Sequence, residues 1–240
     1  MGLSAARAFI KQGANLLLIG RDAVKIDQLR KEMGDKSLFL QGDISEEAVA
    51  TEMIRLARSN WATIDGLYHV AGGSGRKWGD GPVHEITMEG WEKTLQLNLT
   101  SVMLTNRAIL NYWLENKRGG SILNMSSVLG YSPSPEFFST HTYAAAKAAI
   151  IGFSRSAAAY YAKNNIRVNV IAPALVETPM AQRAAGNETI MAFIKEKQPL
   201  DGGRIGRPED LDGLATFFMS DSSAFVTGQV VGVDGGWDLV

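Results

Sequence analysis

Short apolar runs alternate along this chain with longer stretches whose apolar residues recur every three or four positions. LLLI (16–19), SLFL (37–40), GLYHVA (66–71), SILNMS (121–126), IRVNVIA (166–172) and a run inside QVVGVDGG (229–236) read as strands. Continuous apolar runs such as LLLI suit strands covered on both faces. In the first stretch, Leu3, Ala6, Phe9 and Ile10 share one face of a helix over 3–13, with Gly13 as its C-terminal cap. Further helices are predicted over 23–33, 45–60 (opened by Ser45), 88–117, 143–164 and 208–220. Strands alternating with helices of this length build βαβ units, hence an α/β fold with a parallel sheet between two helix layers. The least regular stretches are 72–82, 131–142 and 174–204. Loops at the carboxyl ends of such strands are where these sheets bind ligands.

Composition narrows the function classes. A chain of 240 residues, 45% hydrophobic and 20% charged, is an ordinary globular sequence. No repeat, linker or low-complexity segment divides it, so a single domain over 1–240 is expected. Its 24 basic and 25 acidic residues leave a net charge of −1, which gives no reason to expect a nucleic-acid partner. The absence of cysteine excludes disulfides and thiol catalysis. With histidine only at 69, 84 and 141, no metal site is expected. No apolar run is long enough for a membrane span, and MGLSAARAF lacks the regions of a signal peptide. The expectation is a cytoplasmic protein with no membrane partner.

Tyr143 and Lys147 stand four residues apart on a predicted helix, hence on one face. A phenol near an ammonium can exchange a proton with an alcohol or carbonyl oxygen. The same pair can also be an unremarkable surface Tyr and Lys. Ser126 and Ser127 close the 121–126 strand. Ser127 can hold a substrate oxygen or simply make a turn. Asn98 is polar within an apolar-faced helix, and its buried amide needs a water or a backbone carbonyl as partner.

Five segments in order resolve these alternatives: Asn98, NMSSVLG (124–130), YAAAK (143–147), RVNVIAPALVETPM (167–180) and GQVVGVDGG (228–236). Together they resemble the short-chain dehydrogenase/reductase family, from residue 2 to about 236. The resemblance implies a Rossmann-type doubly wound sheet and NAD(P)-dependent interconversion of a carbonyl and a secondary alcohol. It makes Tyr143 the general acid/base and has Lys147 lower the Tyr pKa and hold the nicotinamide ribose. It gives Ser127 the substrate oxygen and Asn98 a proton-relay water. It assigns Asp43 and Ile44 to the adenine, Ala71 and Gly72 to the cofactor loop, and Pro173, Val176 and Thr178 to the nicotinamide. His69 replaces the usual first Asn of the family's NNAG, Ala174 replaces its usual Gly, and the Ser127–Tyr143 interval is a few residues long.

Gly2 matches the last glycine of the family's TGxxxGxG phosphate loop, so the sequence reads as a form lacking the first strand and most of that loop. A central strand lost in this way would leave two neighbours without a hydrogen-bonding partner. At the end of the second family strand, Gly20 and Arg21 stand where NAD-dependent members place an acidic residue. Arg21 can pair with a 2′-phosphate, which favours NADP(H) over NAD(H). Residues 174–204 correspond to the family's substrate lid. A small carbonyl or alcohol substrate and a homotetramer or homodimer are implied. Reduction of a 3-oxoacyl thioester, a sugar, a steroid or a small ketone all remain open. The alternative is a non-catalytic regulatory or scaffold protein with impaired cofactor binding.

Overall fold

The computed structural model describes Met1 to Val240. Helix α1 (Gly2–Lys11) is turned by Gly13, at φ +91°, into strand β1 (Leu16–Gly20). Such a φ suits glycine because it has no Cβ. Asp22 accepts from the Lys25 N–H (3.1 Å) and opens α2 (Ala23–Met33), which returns the chain to β2 (Ser37–Gln41). There follow α3 (Glu47–Asn60), β3 (Gly66–His69), α4 (Met88–Leu95), α5 (Ser101–Glu115) and β4 (Gly120–Met125). The second half contains α6 (His141–Tyr161), β5 (Ile166–Pro173), the short α7 (Gln182–Ala185), α8 (Glu188–Lys197), α9 (Asp212–Met219) and β6 (Val230–Val233).

All pairings are parallel. Strands β3-β4-β5-β6 form one sheet, and β1-β2 form another. Alternate residues of β4 and β5 feed two cores, as a strand's period of two requires. Ile122, Ile166 and Val168 pack with Ile109 and Trp113 of α5. Leu123, Met125 and Ile171 pack with Leu211 and with Phe218 of α9. The central strands β4 and β5 are buried on both faces, whereas β1, whose run LLLI predicts such burial, is only half-buried along its length.

Between β1 and β3 the sheet is interrupted. A cavity of about 320 Å³ lies there, walled by Leu17 and Ile19 on one side and by Leu67 and His69 on the other. Each strand turns an unpaired edge to this slot.

Several boundaries differ from the sequence reading. Ser45 does not cap α3. Its N–H and hydroxyl donate to Asp43 Oδ1 (3.0 and 2.7 Å), and the helix begins two residues later. The predicted 88–117 helix is continuous but widens into a π turn at Gln96–Thr100. The 174–204 segment is largely helical. Ile190 and Ile194 bury themselves beside Trp237, so these lid residues serve packing. Met180 stays half-exposed and faces a cavity.

Candidate active site

Strand β4 ends at Met125, and Ser126 and Ser127 follow at once. Ser126 Oγ donates to the Lys147 carbonyl (2.7 Å), tying the strand end to α6. Ser127 opens a 3-10 turn over 128–130, and its Oγ accepts from the Leu129 N–H (3.3 Å). Tyr143 lies in the first turn of α6, and it lines the same cavity as Ser127. One turn on, the buried Lys147 donates from Nζ to the Met125 carbonyl (3.0 Å) and lies 5.5 Å from the centre of the Tyr143 ring. The loop after β3 passes close to this pair. A Cβ at Gly72 would meet Asn98 Oδ1 at 2.8 Å and Lys147 Nζ at 3.3 Å, so this cradle accepts only glycine without rearrangement.

Asn98 sits fully buried in the π turn. Its Oδ1 accepts from the Gly73 N–H (3.1 Å), and its Nδ2 donates to the carbonyls of Gly73 (2.9 Å) and Thr94 (2.8 Å). Of the partners open to a buried Asn, the structure therefore supplies backbone. Both amide hydrogens are committed, so the side chain positions the 72–75 loop and has no donor left for a relay water.

Asp80 escapes a sequence reading. It is buried, and its Oδ1 and Oδ2 accept from the N–H groups of Thr142 and Tyr143 (both 3.0 Å). A carboxylate at a helix N-terminus is favoured by the unpaired N–H groups and by the helix dipole. It starts α6 at His141, two residues before the predicted start. The cap is 62 residues away from the N–H it holds, so no local pattern announces it.

Burial sets the titration of the pair. It pushes the Tyr143 hydroxyl up to about 12, against a smaller opposing effect of Ser127, and pushes the Lys147 ammonium down to about 8. The lowering of Tyr143 by Lys147 that the resemblance implies is absent here. Removing the phenolate from water dominates, and the Lys147 ammonium lies against the Met125 carbonyl. The sign for stability follows. Between pH about 8 and 10.5 the unfolded lysine binds a proton that the folded one has lost, so stability rises with pH. From 10 to about 12 the folded tyrosine keeps a proton that the unfolded one loses, and stability falls. Thermal unfolding from pH 7.5 to 10 is expected to show the rise in the wild type and a flatter curve in Lys147→Met. An unchanged slope in the variant counts against the lysine as its source.

Apart from Asn98, the sequence-predicted residues fall into three groups. Gly72, Ser127, Tyr143, Lys147, Pro173, Val176 and Thr178 line one cavity of about 370 Å³. Gly2, Ile44 and Ala71 line the slot between β1 and β3 instead. Arg21 and Asp43 face each other at the surface beyond β1 and β2, with Arg21 Nη1 3.4 Å from Asp43 Oδ2. Burial raises the Asp43 carboxyl, but the Ser45 N–H and hydroxyl together with Arg21 hold it below its ordinary range. The first turn of α1, at Gly2, has no side-chain cap, so its N–H groups are free to meet a phosphate. The tight glycine cradle, the free Lys147 donors and this helix start suit a dinucleotide.

The comparisons agree on the whole chain. The family model described as enoyl-(acyl carrier protein) reductase matches residues 1–238. A protein of Xanthobacter autotrophicus named inactive 2-(S)-hydroxypropyl-CoM dehydrogenase 2 is 35% identical, over 98% of this chain and 100% of its own length. A 3-oxoacyl-(acyl-carrier-protein) reductase of Chlamydia trachomatis is 32% identical, over 98% of this chain and 92% of its own. Among solved structures, a gluconate 5-dehydrogenase of Burkholderia cenocepacia in complex with NADP and tartrate superposes with a TM-score of 0.87. It is 26% identical and covers 98% of this chain and 90% of that one. Agreement of this extent, in sequence and in fold, makes the chain a member of the short-chain dehydrogenase/reductase family of oxidoreductases.

Proposed function

We propose that this chain is an NADP(H)-dependent oxidoreductase that interconverts a carbonyl and a secondary alcohol, with Tyr143 as general acid/base. The convergence of Ser127, Tyr143 and Lys147 on one cavity carries the reading. Bound nicotinamide supplies or accepts the hydride. Ser127 Oγ and the Tyr143 hydroxyl donate to the substrate oxygen, which polarises a carbonyl. Tyr143 gives its proton to that oxygen in reduction and takes it back in oxidation. With burial holding it protonated at neutral pH, it is set up as the acid of the reductive direction. Asn98 keeps the Gly73 loop against Lys147.

Lys147 has N–H donors beyond the one on Met125 and would hold the nicotinamide ribose. Pro173, Val176, Thr178 and Gly72 would flank the nicotinamide, with Gly2 at the phosphates and Asp43, Ile44 and Ala71 on the adenosine side. Gly20 presents no carboxylate, and Arg21 is held only by a long, exposed contact to Asp43, so it is free to meet a 2′-phosphate. That the gluconate 5-dehydrogenase was solved with NADP agrees with this choice. A 3-oxoacyl thioester, as in the name of the Chlamydia relative, is one carbonyl substrate consistent with this chemistry. The same reading has the chain act on a small molecule in the cytoplasm, as a homodimer or homotetramer.

Fluorescence titration with NADPH and NADH tests the reading. NADPH is expected to bind more tightly, and Arg21→Glu to reverse or abolish that preference. An unchanged NADPH/NADH ratio in the variant sinks the assignment to Arg21. A second reading, a non-catalytic relative with impaired cofactor binding, is favoured by the name of the inactive Xanthobacter relative. Binding of neither nucleotide selects it.

A further inference from the structure

We propose that the cavity beside Tyr143 takes a substrate bearing an anionic acid group, a carboxylate or sulfonate, with Arg76 and Arg183 as its receptors. The proposal rests on the oxidoreductase reading of that cavity and names its substrate class. Both arginines line the cavity that holds Ser127 and Tyr143. Arg76 comes from the loop after β3, and Arg183 comes from α7, so two separate segments deliver them. Their Nη2 atoms donate to one shared acceptor, the Phe137 carbonyl, at 3.3 and 3.0 Å. The two cations therefore lie within the sum of those distances of each other.

Like charges this close are stabilised by a counter-charge, and the protein offers little. Neither guanidinium forms an ion pair. Asp80 acts on Arg76 only at range, because both its oxygens already hold N–H groups of α6. The whole cavity wall carries three cationic side chains, Arg76, Lys147 and Arg183, and no aspartate or glutamate. Burial and the charge of Arg183 both disfavour the charged form of Arg76, a penalty that an incoming anion relieves.

The donors suit such an anion. Each guanidinium has five N–H groups, and each side chain makes a single hydrogen bond to the protein. Its planar fork matches two oxygens of a carboxylate or sulfonate at once. Arg183 lies 5.8 Å over the Phe138 ring, which leaves the edges of its plane available. The remaining wall includes Val128, Leu129, Met180 and Trp237, suited to a short apolar body. The substrate this describes has its oxo or hydroxyl group at Tyr143 and its acid group at the arginine pair.

Calorimetric titration, with and without NADP, compares 4-oxopentanoate and 3-oxobutane-1-sulfonate with methyl 4-oxopentanoate. Wild type, Arg76→Gln, Arg183→Gln and the double variant are each titrated. Both acids are expected to bind at least 10-fold more tightly than the ester. Each single substitution is expected to weaken acid binding on the order of 10-fold, and the double to erase the preference. NADPH affinity and thermal unfolding stay unchanged, because each substitution removes no more than one hydrogen bond to the Phe137 carbonyl. Equal binding of acid and ester, no binding of either acid, or a preference surviving the double substitution overturns the proposal. A loss of NADPH affinity with the acid preference intact assigns the arginines to the cofactor and overturns it as well. Acids bound but never turned over keep the anion receptor and sink the catalytic reading. Acid and ester bound and turned over alike do the reverse.

Discussion

Phenylalanine in place of Tyr143 lowers kcat by about 10²- to 10⁴-fold, the range a positioned proton donor supplies, while leaving NADPH affinity and thermal unfolding as they are. The separation of effects follows from the contacts. The substitution removes one hydroxyl that holds no backbone group in place, and Ser127 retains its contact with the Leu129 N–H. The ring remains beside Lys147, and the Tyr143 backbone N–H remains on Asp80. The anchors of α6 and of the cradle therefore survive, and only the proton is lost. Steady-state kinetics with a turned-over carbonyl substrate, a nucleotide titration and a melting curve check the three parts. Full activity in the variant removes Tyr143 from the mechanism. A large drop in Tm turns the loss of activity into a folding effect and leaves the chemical role without support.

How legible this site is depends on the range of the interaction that makes each part. The strands at 16–19 and 166–172 are plain because apolar, largely β-branched or aliphatic residues cluster in short runs, a local pattern, although the first is only half-buried and Arg167 and Asn169 interrupt the second. The Tyr143–Lys147 face is plain because helical spacing is local too. The role of Asn98 is not, because its side chain is held by a pair of hydrogen bonds to Gly73, 25 residues away. The burial of Tyr143 is hidden from the sequence for a related reason. Spacing puts an ammonium near the phenol, but only the packed structure shows how far burial penalises both charges. Arg76 and Arg183 carry no motif, and they meet at the Phe137 carbonyl only once two loops and α7 are folded together. Of the lid's apolar residues, Ile190 and Ile194 turn inward to the core and Met180 turns to the cavity. A lid sequence apolar throughout does not distinguish these faces.

Asp80 gives the second large effect, and its two consequences separate. Alanine at 80 strips two buried N–H groups of their acceptor, at Thr142 and Tyr143, and removes a negative charge from the N-terminus of α6. Unsatisfied buried donors and a lost charge-assisted bond together destabilise by about 2–4 kcal/mol. In a domain of this size that is a fall in Tm of roughly 5–12 °C. Asp80→Asn keeps one amide oxygen as acceptor and loses the charge, so its Tm falls by a smaller amount. Both variants free the turn that aims Tyr143 at Ser127, so kcat is expected to fall about tenfold or more even where the asparagine form is fully folded at the assay temperature. Asp80 is thus a positioning residue, with its action on the reaction passing through the Tyr143 backbone. The decisive readout is kcat against KM in Asp80→Asn at a temperature well below its midpoint. A lowered kcat with nucleotide affinity intact supports positioning. A normal kcat beside a lowered Tm shows that the carboxylate stabilises the helix without aiming its tyrosine.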